Sequence, residues 1–294
     1  MRTRLFLIAG LCALLVALPL MGCARAPESV LEKIQRTGEV TIGHREGSVP
    51  FGFYDEAGNW VGFSIDLGEL LVEELEKELN MDITYIKKPI TAKTRIPLVA
   101  NRTVDIGMGS STHTIPREDT VDFTITFFLT GSRLLVPVGS PITDFEDLAG
   151  KKVGAALGST NERALRDANA LGVISPACII ETVEEHPKGF LALSQGKTVA
   201  YCTDGSLLAG MRQAAPVPED WVVVGRLLTY DPYGFILPEN DSDWKDFVNT
   251  FLIHLIKSGE FYEVYDKWMG PGGKVPIAMT DEYKTLLTLQ CWPE

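Results

Sequence analysis

Positive charge, cysteine and histidine are all scarce in this sequence of 294 residues. Its 27 Lys and Arg residues face 39 Asp and Glu residues, which gives a net charge of −12. Phosphate backbones need a basic surface, so this excess of acid argues against a nucleic-acid-binding protein. Any acidic ligand must be held by a few arginines that act against the overall negative field.

Long hydrophobic runs are absent after the N-terminal segment. Residues 5–20 form the only such run, which is short for a membrane span and follows Arg2 and Arg4. This pattern is typical of a signal peptide. We therefore predict a signal peptide at residues 1–22 and no membrane-spanning helix.

The end of this run resembles a bacterial lipobox, in which a cysteine receives lipid and becomes the new N-terminus. It reads "LMGC" and ends at Cys23, with Met21 an uncommon residue at its position. We predict lipid attachment at Cys23 and a tether over residues 23–37. Ordinary cleavage after "ARA" (24–26) is the alternative, and Pro27 directly after that site argues against it.

Cysteine usage argues against a metal site. Of the five cysteines, one lies in the predicted signal peptide and Cys23 is the predicted lipidation site. The other three, Cys178, Cys202 and Cys291, lack the spacing of metal ligands, so we predict no metal site. We also predict no cofactor. An odd number of thiols outside the cytoplasm leaves at least one unpaired. Any single bridge among the three fits the sequence.

The sequence offers no arrangement of serine, histidine and aspartate, or of cysteine and histidine, that is typical of a nucleophilic enzyme. His44, His113 and His254 are scattered and receive no catalytic role. A catalytic acid would have to be a glutamate such as Glu46 or Glu185, and nothing in the neighbouring sequence singles out either. We predict a protein that is not an enzyme.

Strand-like and helix-like segments alternate from residue 39 onward. Residues 39–46 predict a buried strand. Residues 64–80 predict a helix with a leucine at every fourth position on one face and Ser64 as its cap. Such alternation predicts an α/β fold in which parallel sheets are covered by helices on both faces. Two last helices, about 241–258 and 259–269, precede a predicted tail.

Two strand-like segments divide the chain into two α/β units. Residues 131–138 and 233–240 read as strands at the crossings between the units. We predict a first lobe of residues 38–134 plus 231–294, a second lobe of residues 135–230, and a double hinge between them. A single large sheet is the alternative.

Polar side chains follow the predicted strands at the positions where a ligand would lie. In open parallel sheets, ligands bind beyond the carboxyl ends of the strands. Those ends carry Arg45, Ser110, Ser159-Thr160 and Asp204, two positions from each predicted lobe. We therefore expect these side chains to line a cleft between the lobes.

The segment "GSSTHTIPRE" (109–118) places four hydroxyl side chains in front of Arg117. An amino acid needs a two-pronged guanidinium and hydroxyls for its α-carboxylate, and a carboxylate such as Asp204 for its ammonium. Burial of a ligand charge without a partner costs several kcal/mol, so the cleft must offer a partner for each. These residues predict a site for an amino acid.

Several ordered segments resemble the bacterial periplasmic amino-acid-binding proteins that feed ABC importers. "GSSTHTIPRE" resembles S-x-T-x-T-x-x-R, "VGFSIDLGELL" resembles G-F-D-x-D-L-x-x-x-L, "LAGKKVGAALGST" resembles L-x-G-K-x-V-x-x-x-x-G-T-T, and "GKTVAYCTD" resembles G-x-x-D-A-x-x-x-D. The departures from these patterns are Ser64, Ile65, Ser159, Thr198 and Val199. The resemblance runs from about Gly38 to Met269 and implies the two-lobe, type II periplasmic-binding-protein fold.

A closer resemblance, to the glutamate/aspartate-binding members, lies in "HREGSVPFGFYD", "PITAKTRIPLVANRTVDIGMGSST" and "LLAG". It implies that Arg117 holds the α-carboxylate of the ligand and Asp204 its ammonium. Thr112, Ser159 and Thr160 would assist Arg117. The resemblance assigns the side-chain carboxylate of the ligand to Arg45, Arg95, Ser110 and His186.

One departure affects the choice of ligand. Ala92 stands where a serine that contacts the ligand is expected. The change removes one hydrogen bond and leaves both arginines of the side-chain subsite in place. The choice between glutamate and aspartate therefore stays open.

The resemblance implies a protein that captures an amino acid by closing its lobes and presents it to the permease subunits of an ABC transporter. We predict a monomer in the periplasm or at the cell surface, with its lipid anchor as the only contact with the membrane. Two alternatives stay open. One is a periplasmic dehydratase-like enzyme on the same fold, and the other is a sensor of a different amino acid that acts through a separate partner.

Overall fold

The computed structural model describes residues 28–293. The predicted signal peptide, Cys23 and the first part of the predicted tether lie outside the described residues. Within residues 28–293, no helix combines the length and the apolar character that crossing a membrane requires.

Helices and strands alternate along most of the described chain. The α-helices are Val30–Thr37, Phe63–Leu79, Arg95–Ala100, Ile115–Glu118, Thr160–Ala170, His186–Ser194, Gly205–Gln213, Ser242–Ser258, Glu260–Met269 and Asp281–Gln290. The strands are β1 (Glu39–His44), β2 (Gly47–Ser48), β3 (Gly52–Tyr54), β4 (Trp60–Val61), β5 (Thr84–Pro89), β6 (Ile106–Met108), β7 (Val121–Phe123), β8 (Phe128–Thr130), β9 (Ser132–Pro137), β10 (Lys152–Ala156), β11 (Ile179–Val183), β12 (Ala200–Asp204), β13 (Trp221–Val224), β14 (Asp231–Tyr233) and β15 (Ile236–Pro238).

Ten of these strands form two five-stranded sheets rather than a single large one, and the others form the small sheet β2-β3-β4 and the pair β14-β8. The first has the order β5-β1-β6-β15-β7, in which β1 is parallel to β5 and β6, and β15 is antiparallel to both of its neighbours. The second has the order β11-β10-β12-β9-β13, in which the first three strands are parallel and β9 is antiparallel to both of its neighbours, β12 and β13. Each sheet therefore has a parallel half, whose carboxyl ends are suited to hold ligand-binding side chains.

The chain passes between the two sheets at β8 and β14. These short strands pair antiparallel with each other, with Asp231 opposite Thr130 and Tyr233 opposite Phe128. Strand β8 precedes β9 of the second sheet, and β14 precedes β15 of the first. The single strand expected at 233–240 is thus two strands, because β14 pairs with β8 whereas β15 pairs with β6 and β7.

Each sheet has its own hydrophobic core. Leu67, Leu71 and Leu75 of the helix Phe63–Leu79 are fully buried in the core of the first sheet, as their spacing predicts. The expected cap of this helix is wrong, because Gly62 precedes its first turn and Ser64 is buried inside that turn.

The predicted tail contains a further helix, Asp281–Gln290. Its cap is Thr280, whose side chain accepts from the backbone N–H of Tyr283, and the Tyr283 hydroxyl donates to the Phe127 carbonyl at 2.7 Å. Tyr283 and Leu287 are its buried residues, and so short an apolar stripe does not stand out in the sequence.

The three cysteines beyond the N-terminal segment are free thiols. Cys178 and Cys202 are buried in the second sheet's core, and Cys291 is partly exposed. None of the bridges that fit the sequence is therefore present.

One buried carboxylate joins the N-terminal helix to the helix Ser242–Ser258. Asp241 is 4% exposed and accepts hydrogen bonds from the Ser29 hydroxyl at 2.7 Å and from the Val30 backbone N–H at 2.8 Å. It also accepts from the Trp244 backbone N–H and from Arg102, each at 3.3 Å. These contacts attach both helices to the first sheet's core.

We predict that Asp241→Ala lowers the free energy of unfolding by about 2–3 kcal/mol, because it removes a charged helix cap and leaves buried donors without an acceptor. Urea denaturation of the variant and of wild type measures this difference. Asp246→Ala, on an exposed face of the same helix, is the control and should stay within about 0.5 kcal/mol of wild type. Equal stability of both variants would contradict the role of Asp241.

Candidate functional site

A small inner cavity lies between the two sheets. It is lined by Arg45, Ala92, Arg95, Ser110, Thr112, Ser159, Thr160, Asn161, His186, Thr203, Asp204 and Leu207. A wider outer cleft shares Thr112, Ser159 and Thr160 with it and is also lined by Arg117 and Asp231. The inner cavity and the outer cleft are therefore adjacent and share part of their walls.

The predicted site residues lie at or just after the ends of strands. Arg45 directly follows β1, Ser110 follows β6, and Asp204 is the last residue of β12. Thr160 and His186 each begin the helix that comes after a strand of the second sheet. Parallel strands of both sheets thus bring residues that are distant in sequence to one cavity.

The inner cavity contains every predicted site residue except Arg117. Arg117 is half-buried in the lining of the outer cleft, where its Nη1 donates to the Thr112 carbonyl at 2.6 Å. Burial lowers the pKa of Arg117, and the charges of Asp204 and Asp231 oppose this shift. Arg117 therefore lies beside the inner cavity rather than in its wall.

Two guanidinium groups are buried in the inner cavity. Arg45 is 2% exposed and Arg95 is 3% exposed. Arg95 donates from Nη1 to the Ser110 carbonyl at 2.7 Å and to the Ser111 hydroxyl at 3.0 Å, both uncharged acceptors. Burial, together with the charges of Arg117 and Arg45, lowers the pKa of Arg95 well below its usual value. A buried cation in this position requires an anion.

Several donors in the cavity have no hydrogen-bond partner among the described residues. They are Nε of Arg45, Nε of Arg95 and the hydroxyl of Ser110. Buried polar groups are nearly always satisfied, so unpartnered donors on three residues that line one cavity indicate the place of a ligand acceptor. Their position fits a carboxylate.

Arg45 forms an ion pair across the cleft with a residue to which the sequence assigned no binding role. Its Nη2 lies 2.8 Å from Oε2 of Glu185, which precedes the helix His186–Ser194 of the second sheet. Arg45 thus engages one carboxylate oxygen of Glu185, and Glu46 is exposed and accepts from the Tyr54 hydroxyl at 3.0 Å. Neither glutamate that was considered as a catalytic acid lines the inner cavity.

Asp204 is held by two partners that the motifs did not reveal. Asn161 donates from Nδ2 to Oδ1 at 2.8 Å, and the Tyr233 hydroxyl donates to Oδ2. Burial and the neighbouring Asp231 carboxylate raise the pKa of Asp204 to about 6. Asn161 directly follows the "GST" segment, and that adjacency was the only sequence signal for it.

Hydroxyls and close backbone approaches join the two sides of the cleft. Thr112 and Thr160 lie 3.1 Å apart at their Oγ1 atoms. A Cβ at Gly210 would lie 2.1 Å from the Val49 carbonyl oxygen, and one at Gly47 would lie 2.7 Å from Cδ of Pro187. Glycine at these positions allows the two sides to approach this closely.

The family of the protein follows from comparison of its sequence with known proteins. The model of the bacterial extracellular solute-binding proteins, family 3, matches residues 40–271, and the chain belongs to this family. The L-glutamate/L-aspartate-binding protein of Pseudomonas aeruginosa is 38% identical over 264 residues, 87% of this chain and 87% of that protein. The glutamate/aspartate import solute-binding protein of Escherichia coli K12 is 36% identical over 246 residues, 83% of this chain and 81% of that protein. Both relatives are named as binding proteins rather than enzymes.

Solved structures have the same fold. ArgBP from T. maritima, in its P235GK mutant form, superposes with a TM-score of 0.71 at 25% identity and covers 81% of this chain and 98% of that chain. The ancestral amino acid-binding protein AncCDT-1, described as a precursor of cyclohexadienyl dehydratase, gives a TM-score of 0.69 at 30% identity and covers 82% of this chain and 99% of that chain. The predicted α/β, two-lobe type II periplasmic-binding-protein fold is confirmed.

We predict that Gly210→Ala opposes closure of the cleft, because the added methyl group overlaps the Val49 carbonyl. Overlap in a packed contact costs about 1–3 kcal/mol, so ligand affinity should fall on the order of tenfold. An amino acid that binds wild type should lower its radius of gyration in small-angle X-ray scattering. With the same amino acid, the variant should keep a larger radius of gyration than wild type. Gly272→Ala, with no atom within 4 Å of its added Cβ, is the control. Affinity and compaction equal to wild type would refute the close approach.

Proposed function

We propose that the protein is an extracytoplasmic substrate-binding protein that captures L-glutamate or L-aspartate and delivers it to the permease of an ABC importer. The observation that carries this proposal is the buried pair Arg45 and Arg95, whose Nε atoms both lack a partner among the described residues. A neutral amino acid would leave this cation pair short of an anion, whereas a second carboxylate on the ligand supplies one. The names of the two curated relatives support the same ligands.

The rest of the proposed site serves the groups that all amino acids share. Asp204, at the end of β12, would accept a hydrogen bond from the ligand ammonium. The hydrogen bond from Asn161 orients the Asp204 carboxylate. Arg117 would hold the α-carboxylate from the outer cleft, with the hydroxyls of Thr112 and Thr160 between the two openings. Ser159 lies in the lining of both and would complete this shell.

The side-chain carboxylate of the ligand would lie against Arg45, Arg95 and Ser110, with His186 on the side of the second sheet. Glu185 neutralises part of the charge of Arg45, so the subsite keeps about one positive charge for the ligand. Ala92 is buried in the wall and provides no hydrogen bond from its side chain. The side-chain carboxylate of glutamate and that of aspartate both satisfy this charge balance.

We also propose the lobe boundaries and the cellular location. The first lobe is residues 38–134 plus 231–294, and the second is residues 135–230. The protein acts as a monomer outside the cytoplasm, with lipid on Cys23 as its membrane anchor.

Mass spectrometry of the mature N-terminus tests the lipid anchor. Attached lipid adds the mass of its acyl chains, whereas cleavage after residue 26 removes Cys23 altogether.

We predict that Arg95→Ala weakens binding of glutamate and aspartate by about 2–5 kcal/mol, because each loses a buried charged partner. Any residual binding of glutamine should fall far less. Calorimetric titration with the three amino acids measures these differences, and Arg117→Ala should abolish binding of all three. Arg36→Ala, an exposed arginine paired with Glu28, is the control and should bind as wild type does. Equal losses for acidic and neutral ligands in Arg95→Ala would contradict the side-chain assignment.

We predict that glutamate binding weakens as the pH falls through about 6, because the ligand ammonium needs the ionised form of Asp204 and burial raises the pKa of this carboxyl to about 6. The dissociation constant should rise about tenfold from pH 7.5 to pH 5, while the side-chain carboxyl of glutamate stays ionised. Calorimetry at pH 6 in buffers of different ionisation enthalpy should detect release of about half a proton per ligand bound. A dissociation constant that does not change over this range would contradict the role of Asp204.

A further inference from the structure

Tyr201 is a fully buried tyrosine on β12 that lies behind the wall of the inner cavity. Two glycines make room for its ring. A Cβ at Gly189 would lie 2.0 Å from Cε2 of Tyr201, and a Cβ at Gly154 would lie 2.8 Å from Cδ2. The ring is therefore held in one position, and so is its hydroxyl.

This hydroxyl has one hydrogen-bond partner within residues 28–293, which is His186 of the inner cavity. The hydroxyl oxygen lies 3.0 Å from Nδ1 of the imidazole, and the two rings meet edge to face at 89°. His186 is 3% exposed, and its Nε2 has no hydrogen-bond partner in the described part of the chain. The ring thus has one nitrogen satisfied by the protein and one left for the cavity.

The positions of the protons follow from burial and charge. Burial raises the pKa of Tyr201, so its hydroxyl keeps its proton. Burial and the charges of Arg45 and Arg95 lower the pKa of His186 well below its usual value, so its imidazole is neutral and carries one N–H. A buried hydroxyl with a single partner is satisfied best when it donates to that partner.

We propose that Tyr201 donates its hydroxyl proton to Nδ1 of His186 and thereby fixes the tautomer that carries its N–H on Nε2, facing the inner cavity. Tyr201 is then a positioning residue, and His186 is a neutral donor beside Arg45 and Arg95. Such a donor suits an acceptor group on the ligand side chain. The inference deepens the proposed function and rests on it for the nature of the ligand.

The first test reads the tautomer directly and needs no ligand. In protein labelled with ¹⁵N-histidine, the Nδ1 and Nε2 shifts distinguish the two neutral tautomers, and the signals lost in His186→Gln assign those of His186. We expect an unprotonated Nδ1 and a protonated Nε2 in wild type. In Tyr201→Phe, which keeps the ring in its slot, the Nδ1–H form should appear. A wild-type His186 protonated on Nδ1, or a tautomer that Tyr201→Phe leaves unchanged, would overturn the proposal.

The second test measures affinity. Tyr201→Phe should weaken glutamate binding about threefold to tenfold, the value of one hydrogen bond. The same change in a His186→Gln background should have no further effect, because Tyr201 acts through the imidazole. Tyr85→Phe is the control, because it removes the hydroxyl of a half-buried tyrosine that contacts a different histidine, His44, outside the cavity. An equal loss of affinity with and without His186 would overturn the proposal.

The two tests separate this proposal from the proposed function. If the ¹⁵N shifts show the expected tautomer and its dependence on Tyr201 while no acidic amino acid binds, the positioning of His186 stands and the proposed ligand is wrong. If glutamate binds and the tautomer does not depend on Tyr201, the function stands and this inference is wrong.

Discussion

The burial of two guanidinium groups in one cavity is the constraint on which the rest of the site depends. Arg45 and Arg95 are both almost fully buried, and Arg95 contacts a carbonyl and a hydroxyl but no carboxylate of residues 28–293 in hydrogen-bonding range. The surrounding groups adjust to this charge. Glu185 neutralises part of Arg45, and His186 is neutral because burial and the two arginines lower its pKa. What remains is a need for one more anion, which an acidic amino acid meets.

The position of the cavity between the sheets links this electrostatic demand to the shape of the molecule. Arg45 and Arg95 belong to the first sheet and its helices, whereas Glu185, His186 and Asp204 belong to the second. The chain crosses between the sheets at the paired strands β8 and β14, and Tyr233 of β14 donates to Asp204. A ligand that contacts both sides therefore stabilises their approach, and the glycines at the cleft leave room for it.

Much of the fold and of the cavity lining could be predicted from local patterns. The leucine spacing of the helix Phe63–Leu79 predicts its buried face, and the residues that follow strands meet in the cavity because parallel strands end at the same edge. The misses concern single contacts between distant residues. The Glu185 pair with Arg45, the Tyr201 bond to His186 and the Tyr233 bond to Asp204 leave no periodic signal in the sequence. The helix Asp281–Gln290 was missed because it buries so few residues.

The central claim is that the buried arginine pair selects a ligand with two carboxylates. Calorimetric titration of the purified protein with L-glutamate, L-aspartate, L-glutamine, L-asparagine, L-histidine and L-arginine tests it most directly. The account predicts micromolar or tighter binding that is confined to glutamate and aspartate. Tight binding of a neutral or basic amino acid, with none of glutamate or aspartate, would contradict it.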